Sequence, residues 1–162
     1  MSTDPGSDRS ARLRAAADRI RSTVPSLSNQ ALTSADPETG EQWDLGQVLA
    51  HVADILPYWT RQAELVLEQG GGGAPFGRVK TDPERIAAIE RSRGEDTGAL
   101  LARMDQGLQG VFALLARLDD QKLGEIGTHE RLGEMTVAEI IDRFVVEHLE
   151  EHADQLSEGS NA

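Results

Sequence analysis

Apolar residues recur along this chain at spacings of three and four, separated by short stretches of turn-forming residues. Leu13, Ala16, Ala17, Ile20 and Val24 predict a first helix over 9–24, which Pro25 ends. Residues 26–42 contain Asp36-Pro37 and Gly40, so they predict a connection with at most a short helical piece. A second helix opens at Asp44, where Gln47 stands at capping-box distance, and runs to the glycines at Gly70. Its apolar stripe is Leu45, Val48, Leu49, Val52, Leu56, Trp59, Ala63 and Val66. His51 lies on the shoulder of that stripe beside Ile55, Tyr58 and Gln62. Pro57 inside the helix is expected to kink it about one turn past His51.

Asp82-Pro83 starts a third segment, and Gly94 interrupts it. Leu101, Met104, Leu108, Val111, Leu115 and Leu118 then alternate three and four apart, as a bundle seam does. A polar loop over 119–135 carries His129, read as a solvated loop residue rather than a direct metal ligand, with substrate contact as a further possibility. Thr136 and Glu139 form a second capping-box pair and open the last helix, to Leu156. No period-two alternation is visible. The expected fold is therefore all-α, a four-helix bundle with long connections.

The last helix carries the chemistry. Val137, Ile140, Ile141, Phe144, Val145, Leu149 and Leu156 share one stripe, while Glu139, Arg143, Glu147, Glu150 and Asp154 lie opposite or on its flanks. His148 and His152 fall near the middle of the stripe, about 40° apart. Two imidazoles inside an apolar face need partners, because an unsatisfied buried polar group costs about 1–3 kcal/mol. One solution is bonding to backbone, to water or to Gln155 on the same stripe. The other is a metal ion, since side chains at i and i+4 point the same way.

Composition narrows the function. A chain of 162 residues suits one domain, expected over 9–157, with the polar residues 1–8 a disordered tail. With 16 basic against 28 acidic residues and a net charge of −12, nucleic acid and anionic membranes are poor partners. Neither a signal peptide nor a membrane-spanning run is apparent, so a cytoplasmic protein is expected. There is no cysteine, so any thiol chemistry must use a thiol from outside the chain.

Several motif readings fail. Gly70 to Gly73 lacks the Lys-Ser/Thr and the preceding strand of a phosphate loop, and reads as a flexible connection. HLEEH at His148 satisfies an inverted zinc-protease pattern with Glu151 as base, but too little chain follows to supply the further ligand. A ferritin-like di-iron site needs Glu three residues before each histidine, where Val145 and Leu149 stand.

Three segments, WDLGQVLAH, GTHERLGEMTVAEII and EHLEEHADQL, resemble in order and spacing the signatures of the DinB-like superfamily. This damage-inducible helical family is distinct from the DNA polymerase of the same name. The resemblance spans Trp43 to Leu156. It implies an up-down-down-up bundle, often a homodimer, in which three histidines hold one divalent metal, Zn or Ni first. Carried over by position, these are His51, His148 and His152. Many members have a further histidine where this chain has Glu151. Three nitrogen ligands leave a coordination position open, as in catalytic sites. The resemblance further implies a metal-dependent enzyme, first a transferase acting with a low-molecular-weight thiol such as mycothiol or bacillithiol on a small electrophile. A metal-dependent hydrolase is the alternative, and a non-enzymatic stress or interaction protein that retains the metal site is a third reading. Glu151, Tyr58 and Gln155 are the candidate catalytic groups beside the ligands.

Overall fold

The protein is described by a computed structural model over residues 4–28 and 36–160. Part of the tail expected at 1–8 and part of the connection expected at 26–42 lie outside these residues. The first helix, α1 (Pro5–Thr23), begins ahead of Arg9 because Asp4 caps it and Pro5 occupies a first-turn position that needs no N–H donor. A 3₁₀ turn, Val24–Ser26, follows. Helix α2 (Leu45–Glu68) opens with the expected Asp44–Gln47 capping box and runs through Pro57 without a break. Helices α3 (Pro83–Ser92) and α4 (Thr97–Leu115) are separate, as Gly94 suggested. A short helix α5 (Asp120–Leu123) precedes the last one, which comprises α6 (Val137–Ile141), a π-helical turn (Asp142–Glu147) and α7 (His148–Ser160).

The fold is the expected four-helix bundle. Helix α2 packs on α4 and α6, and α1 packs on α7 and α4. Leu13, Ile20, Leu49, Leu56, Leu100, Met104, Ile140, Leu149 and Leu156 meet in one fully buried core. Gly107 lets α4 approach α2 closely, since a Cβ there would stand 2.7 Å from Leu56 Cβ. Arg9, Arg12 and Arg19 of α1 pair with Asp142, Glu150 and Asp154, lacing the first helix to the last along a partly exposed seam.

The expectation of no strands is corrected. Strands β1 (Ala74–Phe76), β2 (Ile126–His129) and β3 (Gly133–Thr136) form a small sheet in the order β1-β2-β3. Strands β1 and β2 are parallel, with Phe76 opposite His129; β2 and β3 are antiparallel, with His129 opposite Gly133. Each strand is three or four residues long, too short for alternation to stand out. The glycine run is an ordered turn rather than a loose connection. Gly70 to Gly73 all have positive φ, and the Gly71 and Gly73 N–H groups donate to Val66 and Ile126 carbonyls. Amides used in this way are not aimed at a phosphate.

Candidate metal centre

The π turn decides how the last helix presents its histidines. One wider turn buries Val145 and Val146 together and leaves Phe144 only partly buried, a shift that a uniform 3.6-residue period does not anticipate. Beyond it the His148 N–H donates to the Val145 carbonyl rather than to that of Phe144. The Phe144 carbonyl favours an N–H on the His148 ring, whose Nε2 faces His51.

His51 of α2 and His148 and His152 of α7 converge. Their ring centroids are 5.0 Å (His51–His148), 4.9 Å (His51–His152) and 4.8 Å (His148–His152) apart. One ligand nitrogen from each lies within 4.8 Å of the others. His51 Nε2 and His148 Nε2 are 3.2 Å apart. Tetrahedral nitrogen ligands at zinc distances of 2.0–2.1 Å stand about 3.3–3.4 Å from one another, so this pair is already spaced as two ligands of one ion. Trp43 closes the other side, tilted against His51 at 4.8 Å and stacked near His152 at 6.2 Å.

The polar atoms fit a cation. His152 Nδ1 donates to Gln155 Oε1 at 3.0 Å, which leaves Nε2 as a lone pair that is buried without a partner. His51 Nδ1 is likewise buried and unpartnered. On His152 the outer nitrogen is held by an acceptor, the arrangement that orients metal-binding imidazoles. Burial lowers the pKa of all three: His148 to about 3, His152 to about 4, and His51 well below its ordinary value, with the other two imidazoles adding to the effect on His51. All three are neutral at pH 7, the state in which imidazole binds metal.

A model of the DinB superfamily matches residues 11–156. The chain belongs to the DinB superfamily. Among solved structures, this DinB protein is similar to YfiT from Bacillus subtilis, described as a probable metal-dependent hydrolase with an unusual four-helix bundle topology. The two share 21% identity at a TM-score of 0.75, over 99% of this chain and 89% of that one. It is also similar to a mycothiol-dependent maleylpyruvate isomerase, with 12% identity and a TM-score of 0.60, covering 99% of this chain and 62% of the isomerase. These likenesses establish the shared fold. No curated protein sequence matches the chain significantly.

The other expected site residues fall at different distances from the three histidines of this DinB chain. Gln155 touches the centre directly, through His152. Tyr58 is half-buried on α2, two turns beyond His51. The Arg78 guanidinium lies 3.7 Å above its ring, and burial raises the pKa of its hydroxyl. Glu151 is exposed, and its pKa is raised, first by partial desolvation and then by Glu147.

His129 is corrected from a solvated loop residue to a buried one, 4% exposed. Its Nδ1 accepts from the Arg131 and Leu132 N–H groups, and Nε2 donates to the Arg78 carbonyl at 3.2 Å. Both nitrogens are used, so it has no lone pair for a metal. Its ring packs among Trp59, Phe76 and Phe144, and it fixes the segment that carries Arg78. Sequence reasoning also passed over Arg78 and Arg85, whose side chains are 9% and 10% exposed. For Arg85 a signal existed: it stands four residues before the buried Ile89, on the inward face of α3.

Proposed function

We propose that this DinB protein is a metal-dependent enzyme in which His51, His148 and His152 hold one divalent ion, Zn or Ni, and that it transfers a low-molecular-weight thiol to a small electrophile. The carrying observation is the buried, unpartnered His152 Nε2 among two further neutral imidazoles, with its own Nδ1–H held by Gln155. Such an ion, when bound, supplies Lewis acidity that lowers the pKa of a coordinated thiol or water.

The chain's own residues do the rest. Gln155 fixes the tautomer of His152. Tyr58, protonated at neutral pH like any tyrosine and more so because burial raises its pKa, is the first candidate to donate a proton. Glu151, its pKa raised by partial desolvation and by Glu147, is the second candidate to move a proton. In the net reaction a carbon–sulfur bond replaces the bond to the leaving group, and the thiol proton departs with that group. The charged side chains with the largest influence on the histidine rings are cationic, namely Arg85, Arg78 and Lys80, which favours an anionic sulfur nucleophile over a water activated by a carboxylate. The likeness to a mycothiol-dependent isomerase supports the same reading. No described helix is long and apolar enough to cross a membrane. We place the protein in the cytoplasm, where such thiols are kept reduced.

Hydrolysis is the second reading, favoured by the likeness to YfiT. Thermal unfolding separates the two. Zn or Ni is expected to raise Tm, and mycothiol, bacillithiol or glutathione is expected to raise it further only when the metal is present. Thiols without effect on the metal-loaded protein, together with metal-dependent ester or amide cleavage, would replace the transferase by the hydrolase.

A further inference from the structure

The site is bracketed along α2 by two buried guanidiniums. At one end Arg85 lies 5.5 Å from the Trp43 ring, the same ring that packs on His51 and His152. Its Nη1 donates to the Lys80 carbonyl at 2.7 Å and stands 3.5 Å from Glu41. At the other end Arg78 pairs with Asp54, one helical turn beyond His51, and lies over Tyr58, two turns beyond it. Lys80, half-exposed between them in sequence, pairs with Asp36 at 3.1 Å and with Glu38 at 3.8 Å. Burying guanidinium groups is costly, and two of them against aromatic rings beside a histidine cluster is an unusual investment in a chain of net charge −12.

This cationic wall is also held in place from behind. The Arg78 backbone is fixed by His129, and the adjoining Gly77 N–H donates to Gln62 Oε1 at 2.7 Å. Gly77 has φ +86°, and a Cβ there would stand 2.6 Å from the His129 ring. The segment is thus set against α2 by contacts on β2 and on α2 itself, independently of the three histidines. The pairing carboxylates Asp54, Glu41, Asp36 and Glu38 occupy some of the donors. Arg85, though, makes its 2.7 Å bond to a carbonyl, which leaves its charge only loosely balanced by Glu41.

We infer that Arg85, Lys80 and Arg78 form an anion subsite beside the three histidines, and that the substrate is a small molecule bearing a carboxylate next to the group that reaches the metal. This rests on the metal-enzyme reading for what the neighbouring centre does, and it adds the substrate class. Arg85 and Arg78 offer planar forks suited to a carboxylate, and Lys80 adds a mobile charge at the exposed side. A phosphate presents the same anionic oxygens, so the test includes one.

The test is calorimetric titration of the zinc-loaded protein with succinate, with its neutral diamide and with inorganic phosphate. Succinate is expected to bind and the diamide not to bind. Arg85→Gln is expected to weaken succinate about tenfold, the loss of a charge-assisted contact, while zinc content stays unchanged. Lys80→Ala, at an exposed position that leaves the fold intact, is expected to weaken it about threefold and to flatten its salt dependence. Tighter binding of phosphate than of succinate would overturn the carboxylate assignment. Equal binding of succinate and its diamide, or full succinate affinity in both variants, would overturn the subsite. If no zinc is taken up, the metal-enzyme reading fails by itself. The same titration on metal-free protein then decides the subsite, with succinate binding lost in Arg85→Gln supporting it and unchanged binding overturning it.

Discussion

His148→Ala is expected to abolish stoichiometric metal binding while the bundle stays folded. The two remaining imidazoles make a two-ligand site. Even removing a group that only supports a ligand costs about 10–100-fold in metal affinity, so loss of a ligand itself exceeds that. The fold survives because the last helix is held by Ile140, Ile141, Leu149 and Leu156, all fully buried, and by the ion pairs of α1, none of which involves His148. Gln155→Ala, which frees His152 Nδ1, should give the intermediate result, about 10–100-fold weaker binding with the ligands intact. Elemental analysis of purified wild type and variants, with circular dichroism as the check on folding, reads all three. Equal metal content in wild type and His148→Ala would count against the assignment.

The second large effect is on pH. In metal-free protein His148 titrates at about 3 and His152 at about 4 in the fold, against about 6.5 when unfolded, and His51 shifts the same way. Below about 6.5 the unfolded chain binds more protons than the native state, so stability rises with pH across this window. The contribution is complete above about pH 6.5 and is lost progressively as pH falls toward 4 and then 3. Two other groups test the attribution. Asp36 is held at about 2, mainly by the Thr39 N–H, so its contribution fades only below its ordinary 3.8. Glu151, with its pKa raised by partial burial, works in the opposite sense, favouring the fold as it protonates. The urea midpoint should therefore fall between pH 7 and pH 4.5, and bound metal should raise the midpoint at pH 7 without flattening that fall, because the unfolded chain takes up the same protons and protons compete with the ion as pH drops. A midpoint independent of pH over this range would show that the three rings are not buried neutral.

The parts of this architecture that are written locally were readable in the sequence. Both capping boxes, Asp44–Gln47 and Thr136–Glu139, depend on residues three apart, and both are present. The apolar stripes of α1 and α2 depend only on helical period. His148 and His152 were readable for the same reason, while His51 needed the family's spacing to be joined to them.

What was missed depends on partners remote in the chain. His129 is buried because β2 pairs with β1 and with β3, a pairing that no residue near it announces. Val146 is buried because the π turn adds a residue to the repeat, so the stripe read at constant period omits it and credits Phe144 with more burial than it has. Arg78 and Arg85 drew no reading at all, although the spacing of Arg85 to Ile89 on α3 was a signal. Their burial comes from aromatic rings on and before α2 that the connection folds back upon.

X-ray absorption of the metal-loaded protein tests the central claim most directly. The account predicts at least three nitrogen donors at about 2.0–2.1 Å from zinc, with the outer-shell scattering of imidazole rings, and loss of that pattern in His148→Ala. A shell made of oxygen donors without imidazole scattering, or an unchanged spectrum in the variant, would contradict it.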